Sequence, residues 1–146
     1  NEFMIRIYEA TEPSDLLAEA FARLLPQLSE RMTAPDREAV ARIVASPATR
    51  QLVAAAEDGR IVGLLSVALY DVPSGRKAWI EDVVGDAATR GRGIGEALVR
   101  EALALARREG VARVMLTSNA TRRASHRLYE RMGFVRYETD CFRLDL

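Results

Sequence analysis

The sequence has little that would support a disulfide scaffold, a metal centre or a membrane segment. Among 146 residues there is one cysteine, Cys141, one histidine, His126, and one lysine, Lys77. A lone cysteine cannot form an internal disulfide, and with a single histidine it makes a poor metal site. No apolar run approaches the ~20 residues of a membrane span. We therefore expect a cytoplasmic protein without a metal.

The charges show no excess of one sign. The 21 basic residues balance 21 acidic ones, so the sequence does not predict a general attraction to nucleic acid or to an anionic membrane. A basic binding site would have to be local. The length is that of one ordinary domain, and we expect a single domain over residues 4–146.

The first half of the chain begins with a strand and two helices. Ile5–Glu9 alternates as a strand does, and Ser14 is placed to cap a helix whose apolar stripe runs to Pro26. A second helix is predicted from about Asp36 to Ala45, with Pro47 closing it.

Two β-hairpins are predicted next. Strands over Gln51–Glu57 and Ile61–Tyr70 are separated by Asp58-Gly59, a strong short-range hairpin signal. The turn Val72–Gly75 then leads to a strand over Lys77–Val84, which is rich in β-branched and aromatic residues.

The second half predicts a crossover followed by closing strands. Apolar residues four apart indicate a helix over Ile94–Glu109, with Gly110 after it, and Thr121 is expected to cap the last helix. The remaining elements are a strand over Arg113–Thr117, a helix over Arg122–Met132, and strands over Phe134–Glu138 and Cys141–Leu146. This order predicts an α/β (α+β) fold with a mixed, mostly antiparallel central sheet flanked by helices.

A glycine-rich turn lies between the predicted strand ending at Val84 and the helix from Ile94. Glycines occupy positions 91, 93 and 95, and Arg90 and Arg92 flank the first of them. The missing side chains would let an anion approach backbone N–H groups at the positive end of a helix. Two nucleotide motifs fail, because Glu96 replaces the third glycine of a dinucleotide fingerprint and no Gly-Lys-Ser/Thr follows. A phosphate or pyrophosphate is the expected ligand, and the alternative is a turn that binds no ligand.

Two motifs resemble the GCN5-related N-acetyltransferase (GNAT) superfamily. The segment Arg90–Gly95 is similar to its Arg/Gln-x-x-Gly-x-Gly/Ala signature, and Tyr129–Phe134 to its Tyr-Glu-x-x-Gly-Phe segment. The resemblance implies the acyl-CoA N-acyltransferase fold, acetyl-coenzyme A as acetyl donor and a primary amine of a small molecule or protein as acceptor. It also implies that the coenzyme A pyrophosphate is held by Arg90, Gly91, Arg92, Gly93, Ile94, Gly95 and Glu96. Relatives often pair as homodimers.

Glu81 is the candidate general base. Strand alternation would send Glu81 and Asp82 to opposite faces and place Glu81 on the face of Trp79 and Val83. Since a carboxylate near pKa ~4.3 is too weak to take a proton from an ammonium directly, we expect Glu81 to act through water. Asp82 is the other candidate, and an ordinary salt-bridged carboxylate is the alternative for Glu81. The stretch Ile80–Val84 is locally similar to glucosamine-6-phosphate N-acetyltransferases, which does not identify the acceptor.

The resemblance implies further roles near this strand. Family members have a β-bulge here, which would present the N–H of Val83 to the thioester oxygen and the backbone of Val84 to the pantetheine. Gly85 before Asp86 replaces a third apolar residue and is expected to loosen the path to the glycine-rich turn.

The last helix is expected to carry the general acid. By resemblance, Tyr129 protonates the departing thiolate, and Asn119 and Ser125 bond the pantetheine or adenylate. The 3′-phosphate would meet an arginine of the same region, for which the candidates are Arg122, Arg123, Arg127 and Arg131.

Direct transfer is expected, because Cys141 has no adjacent partner for nucleophilic catalysis and should only pack in a terminal strand. A catalytically silent coenzyme A-binding regulatory module is the rival hypothesis.

Overall fold

Five strands and four helices form the part of the chain that the computed structural model describes, residues 4–146. The strands are β1 Ile5–Ala10, β2 Thr49–Ala56, β3 Ile61–Val72, β4 Gly75–Gly85 and β5 Val114–Leu116. The helices are α1 Asp15–Leu28, α2 Arg37–Ala45, α3 Ile94–Arg108 and α4 Arg123–Arg131, with a 3₁₀ turn at Ala87–Thr89. Within these residues no helix has both the length and the apolar character needed to cross a bilayer.

The strands form one mixed sheet in the order β1-β2-β3-β4-β5. The first four pair antiparallel, and β4 pairs with β5 in parallel, as a strand does after a helical crossover. This arrangement confirms the predicted mixed, mostly antiparallel sheet.

Local signals account for most element boundaries. At the β2–β3 hairpin Gly59 adopts φ +90°, a conformation that suits glycine, and the Ala56 N–H donates to the Arg60 carbonyl at 2.8 Å. Ser14 Oγ accepts from the Leu17 N–H at 3.1 Å to cap α1, and Asp36 Oδ1 accepts from the Ala39 N–H at 2.8 Å to cap α2.

Helices cover both faces of the sheet. On one face α3 packs into a cluster that includes Leu65, Val67, Ile80 and Leu98, with α4 at its margin. On the other face α1 and α2 pack with Val53, Ile61, Leu64 and Val84. The molecule is therefore a helix–sheet–helix sandwich, and β4 lies next to the short edge strand β5.

Two predicted helix boundaries are wrong. Helix α1 passes through Pro26 and ends at Leu28, because a proline near a helix C-terminus removes only one hydrogen bond of the ladder. Thr121 does not cap α4, since its hydroxyl donates to Asn119 Oδ1 at 2.8 Å, and Arg122 occupies the cap position.

The two predicted closing strands are also wrong. Residues 134–138 and 141–146 pair with no strand of the described sheet, and Cys141, expected to pack, is exposed. Phe142, Leu144 and Leu146 alternate as in a strand but are 90%, 83% and 116% exposed. A strand forms only where a neighbouring edge accepts its hydrogen bonds, and the local pattern does not supply that edge.

Candidate active site

A β-bulge interrupts the pairing of β3 with β4. Ser66 pairs with Glu81 and Leu64 with Val84, so Asp82 and Val83 together face the single residue Leu65. Asp82 adopts φ +47°, in the left-handed region that few residues other than glycine occupy. Such a bulge takes backbone groups out of the ladder and aims them elsewhere. The expected bulge is thus present, with Asp82 and Val83 as its two residues.

The bulge reverses the facing of the side chains that follow it. Val83 packs against the cluster of Ile80 on the α3 face, whereas Val84 lies in the cluster on the α1 face. The expectation that Val83 shares the face of Glu81 is therefore wrong. One extra residue shifts the two-residue period by one, which exchanges the faces.

Two cavities meet at Glu81 and Asp82. The first, here called the acceptor-side cavity, has about 450 Å³ and lies between α1, α2, residues 32–35 and strands β2–β4. The second, the α4 cavity, has about 180 Å³ and lies between β4, β5 and α4. Both carboxylate residues line both cavities. The bulge therefore joins two spaces on either side of the same pair of acids.

The pKa of the Glu81 carboxyl is raised above its usual range. Loss of hydration against the cavity walls is the larger cause, and the negative charge of Asp82 adds to it. A raised pKa makes the carboxylate a stronger base than an ordinary glutamate at the surface.

Tyr129 lines the α4 cavity opposite the bulge. It is half-buried, and Phe134 packs edge-on against its ring with 5.8 Å between the centroids. Burial raises the pKa of the Tyr129 phenol, which outweighs the opposing effect of the positive charge of Arg122. The phenol therefore keeps its proton at neutral pH.

The predicted residues Asn119 and Ser125 line the α4 cavity together with Val83, Arg122 and Tyr129. Asn119 Oδ1 accepts from the Thr121 N–H at 2.9 Å, which fixes the turn into α4. Arg122 donates to the Leu28 carbonyl and so ties the start of α4 to the end of α1.

The glycine-rich turn lies at the N-terminus of α3, outside both cavities. Gly91 and Gly93 adopt φ +84° and +74°, so these two positions require glycine on conformational grounds. Gly93 is the N-cap and provides no side-chain hydrogen bond to the first turn of α3. Arg90, Gly91, Arg92 and Gly93 are exposed. The first turn of α3 thus receives no side-chain cap from its N-cap residue, an arrangement that fits a pyrophosphate.

Helix α4 connects this turn to the α4 cavity. Glu96 pairs with Arg131 at 3.8 Å and with Arg100 at 3.5 Å, so its side chain contacts arginines and only its backbone N–H can serve the anion site. A Cβ at Gly95 would lie 3.2 Å from Leu128 Cδ2, which shows how closely α3 approaches α4. Val84 is 6% exposed and lines neither cavity, so only its backbone could contact a ligand.

Two residues that position the glycine-rich turn, Gly63 and Asp86, were not predicted from the sequence. Gly63 in β3 lies against Ile94, and a Cβ there would lie 2.5 Å from Ile94 Cγ2. The signal was available, because an isolated glycine inside a strand often marks a close approach of another element. Gly63 therefore sets how near the start of α3 lies to the sheet.

The other is Asp86, which is 5% exposed. Its carboxylate accepts from Arg23 Nη1 at 3.0 Å and from the Ala88 N–H at 3.1 Å. The Gln27 side-chain amide donates to Asp86 Oδ1 and accepts from the Ala87 N–H. Desolvation acts to raise the pKa of Asp86, but these hydrogen bonds and the charges of Arg23 and Arg60 outweigh it and lower the pKa. The path from β4 to the glycine-rich turn is therefore held firmly, and the expectation of a loosened path is wrong.

Comparison with known proteins agrees with this geometry. The model of the acetyltransferase (GNAT) family matches residues 6–134. The chain belongs to this family. An acetyltransferase structure from Trypanosoma brucei superposes with a TM-score of 0.78 at 30% identity and covers 98% of this chain and 100% of its own. The GNAT family and fold expected from the two motifs are thereby confirmed.

Two curated relatives match part of the chain. Glucosamine 6-phosphate N-acetyltransferase of Trypanosoma brucei brucei is 38% identical over 91 residues, which are 60% of this chain and 59% of that protein. Mycothiol acetyltransferase of Renibacterium salmoninarum is 33% identical over 91 residues, 61% of this chain and 27% of that protein. The chain thus spans about three fifths of the first relative and about a quarter of the second, and each name describes that protein's own acceptor.

Proposed function

We propose that this chain transfers the acetyl group of acetyl-coenzyme A directly to a primary amine of a small molecule or protein. The observation that carries the proposal is the bulge at Asp82–Val83, where two acids stand between two cavities, one of them lined by Tyr129. A donor could enter from the α4 cavity and an amine from the acceptor-side cavity, so that the reacting atoms would meet at the bulge.

The donor would be bound mainly by backbone groups. The uncapped first turn of α3, with Arg90–Glu96, fits the pyrophosphate. Val83 lies in the bulge, where its N–H leaves the ladder and can donate to the oxygen of the thioester carbonyl. Asn119 and Ser125 line the α4 cavity and offer hydrogen bonds along the pantetheine.

Glu81 and Tyr129 would manage the protons. Glu81 takes a proton from the ammonium through a water molecule, and the amine nitrogen then attacks the carbonyl carbon. As the carbon–sulfur bond breaks, the attacking nitrogen loses its second proton to solvent, and Tyr129 gives its proton to the sulfur and recovers one from solvent. The raised pKa values of both groups support these roles, because one group becomes a stronger base and the other remains protonated. Asp82 is the alternative base, since it lines the same cavities.

The test is release of free thiol from acetyl-coenzyme A across a panel of amines and peptides. Glu81→Gln and Tyr129→Phe should each lower kcat/KM by about 10²–10⁴-fold, while Glu57→Gln and Tyr70→Phe, outside the cavities, should not. All proteins should carry Cys141→Ser, because an exposed thiol would react with the reagent. Variants of Glu81 and Tyr129 that acetylate as fast as the parent would refute the assigned roles.

The rival hypothesis, a silent coenzyme A-binding module, predicts a different pair of results. Acetyl-coenzyme A would raise the unfolding temperature, yet no amine would release thiol. No feature of the site favours this rival, because both candidate proton-transfer groups are present and line one cavity.

We also propose that two chains form a homodimer by exchanging their C-terminal segments. A groove of about 500 Å³ lies between residues 111–115, which include the first two residues of β5, and residues 133–137 of the same chain. The side of β5 away from β4 is one of the two edges of the described sheet. Residues 141–146 form no strand of that sheet, and Phe142, Leu144 and Leu146, which alternate along the segment, are exposed. The segment of a second copy would supply both the hydrogen bonds and the apolar cover.

Sedimentation of the full chain tests this pairing. The parent should be a dimer, and a Phe142→Asp/Leu144→Asp variant should be a monomer. Asp145→Asn, on the polar side of the same segment, should stay dimeric. A parent that remains monomeric at all concentrations, with the segment folded onto its own groove, would overturn the exchange. A cytoplasmic location stays our proposal, supported by the exposed free thiol of Cys141.

A further inference from the structure

The acceptor-side cavity has an unusual combination of an apolar wall and an acidic end. Its wall is formed by Phe21, Leu25, Met32, Pro35, Ile43 and Leu64. Glu81 and Asp82 lie where it opens into the α4 cavity. Among the described residues that line it there is no arginine, lysine or histidine. The cavity therefore provides apolar surface and negative charge, and no cation for an anionic group.

Besides the two acids, the polar residues that line this cavity are Thr33, Thr49, Gln51 and Ser66, and none of them carries a charge. Gln51 is 2% exposed, and its Nε2 donates to the carbonyls of Leu52 and Leu65 at 3.2 and 3.3 Å. Its Oε1 accepts the Ser66 hydroxyl at 2.7 Å. Because these donors are used, Gln51 and Ser66 can offer a ligand only the Ser66 oxygen as an acceptor, and the two threonine hydroxyls add hydrogen bonds without positive charge.

Three arginines of the surrounding elements are bound by other groups of the protein. Arg122 binds the Leu28 carbonyl from the side of the α4 cavity, and Arg37 pairs with Asp15 at the surface. Arg23 is bound by Glu19 and Asp86. A phosphate or carboxylate in the acceptor-side cavity would therefore face two carboxylates, with no cationic side chain among the residues that line the cavity, which costs binding free energy.

We propose that the acceptor is a primary amine on an apolar alkyl or aryl body that carries neither phosphate nor carboxylate. The inference rests on the proposed function, since it takes this cavity to be the amine's side of the site. The ammonium would lie near Glu81 and Asp82, and the apolar body would pack against Phe21, Leu25 and Ile43. This specificity differs from that named for the glucosamine 6-phosphate relative.

A matched set of amines tests the proposal. 2-Phenylethylamine and phenylalanine share the same body and differ by one carboxylate, and glucosamine 6-phosphate replaces the apolar body by a phosphorylated sugar. We expect kcat/KM for 2-phenylethylamine to exceed those for the other two by about 100-fold, the size of one unfavourable charge pair at ~6 Å in a partly hydrated site. Equal or faster turnover of phenylalanine or glucosamine 6-phosphate would overturn the assignment while leaving the acetyltransferase function standing.

A charge placed in the wall provides a second test. Ile43→Lys should lower the ratio of kcat/KM for 2-phenylethylamine to kcat/KM for phenylalanine by at least about 10-fold. Ala45→Lys adds the same charge to an exposed position of α2 and should leave the ratio unchanged. An unchanged ratio in Ile43→Lys would contradict the proposal.

Binding separates this inference from the proposed function. Titration calorimetry with the coenzyme A-bound protein should detect 2-phenylethylamine at concentrations where phenylalanine gives no heat. If no amine is acetylated but this preference in binding holds, the function fails and the cavity's specificity stands. If phenylalanine binds as tightly as 2-phenylethylamine, the inference fails whatever the activity.

Discussion

Replacing Gly63 by alanine should disturb both stability and donor binding, because this glycine sets the position of α3. The added Cβ would lie 2.5 Å from Ile94 Cγ2, 2.9 Å from Leu98 Cδ1 and 3.3 Å from Ala54 Cβ. Carbon atoms prefer ~3.5–4.0 Å, so the Ile94 side chain, and with it the first turn of α3, is pushed outward by up to about 1 Å. Overpacking of this kind costs about 1–3 kcal/mol. In a chain of this length that lowers the unfolding temperature by roughly 3–10 °C.

The displaced turn is the one that carries the proposed pyrophosphate site. Gly63→Ala should therefore weaken acetyl-coenzyme A binding, measured by calorimetry at a temperature where the variant is folded. Gly95→Ala is the matched control for stability alone, because its Cβ would meet only Leu128 Cδ2 at 3.2 Å and the residue is helical. Its loss of stability should be small, since alanine favours the helix over glycine by ~1 kcal/mol.

A double-mutant cycle identifies the clash as the cause. Ile94→Ala removes the Cγ2 methyl group and by itself should cost about 2–5 kcal/mol. Together with Gly63→Ala it should cost at least ~1 kcal/mol less than the sum of the single changes. Strict additivity, or a Gly63→Ala variant as stable as the parent, would refute the reasoning that Gly63 exists for the approach of α3.

Three further predictions concern the proton-transfer groups and the loop support. The pKa of Glu81 is raised above the usual range, so Glu81 becomes the carboxylate base only as pH rises through that higher value. We therefore expect kcat/KM to fall at acidic pH, and Glu81→Gln should abolish this dependence. An acidic fall that is unchanged in the variant would assign the titration to another group. Tyr129→Phe should lower kcat while donor binding measured by calorimetry stays nearly unchanged, and a loss of binding alone would contradict the acid role. Asp86→Asn should cost about 2–4 kcal/mol near neutral pH in urea unfolding. Because the pKa of Asp86 is lowered in the folded state, its contribution to the free energy of unfolding is present above the pKa of the unfolded carboxyl and is lost as pH falls through the folded value. The free energies of unfolding of parent and variant should therefore converge in acid. A difference that stays constant with pH would contradict this reasoning.

Much of the fold could be predicted from the sequence because it depends on interactions between residues that are close along the chain. The Asp58-Gly59 turn, the Ser14 and Asp36 caps and the apolar stripe of α3 depend on residues within one or two turns of each other. The glycine-rich turn belongs to the same class, because Gly91 and Gly93 adopt backbone conformations that their own residue type permits. These signals were sufficient for the family and the sheet type.

The arrangement of the candidate site was decided by contacts between distant segments. The bulge at Asp82–Val83 depends on how β4 meets β3, and it exchanged the predicted faces of Val83 and Val84. Asp86 is held by side chains of α1 some 60 residues earlier. No local pattern contains these pairings, because each depends on which elements the folded chain brings together.

The sequence alone therefore determined the four helices, the first five strands and the residue types available for acetyl transfer, since propensity, capping and periodicity act over a few residues. The tertiary structure decided that Glu81 and Asp82 share both cavities, that Gly63 admits α3 to the sheet, and that residues 134–146 form no strand with their own sheet. Those outcomes depend on packing and on partner edges, whose free energy exists only once the distant parts of the chain have met.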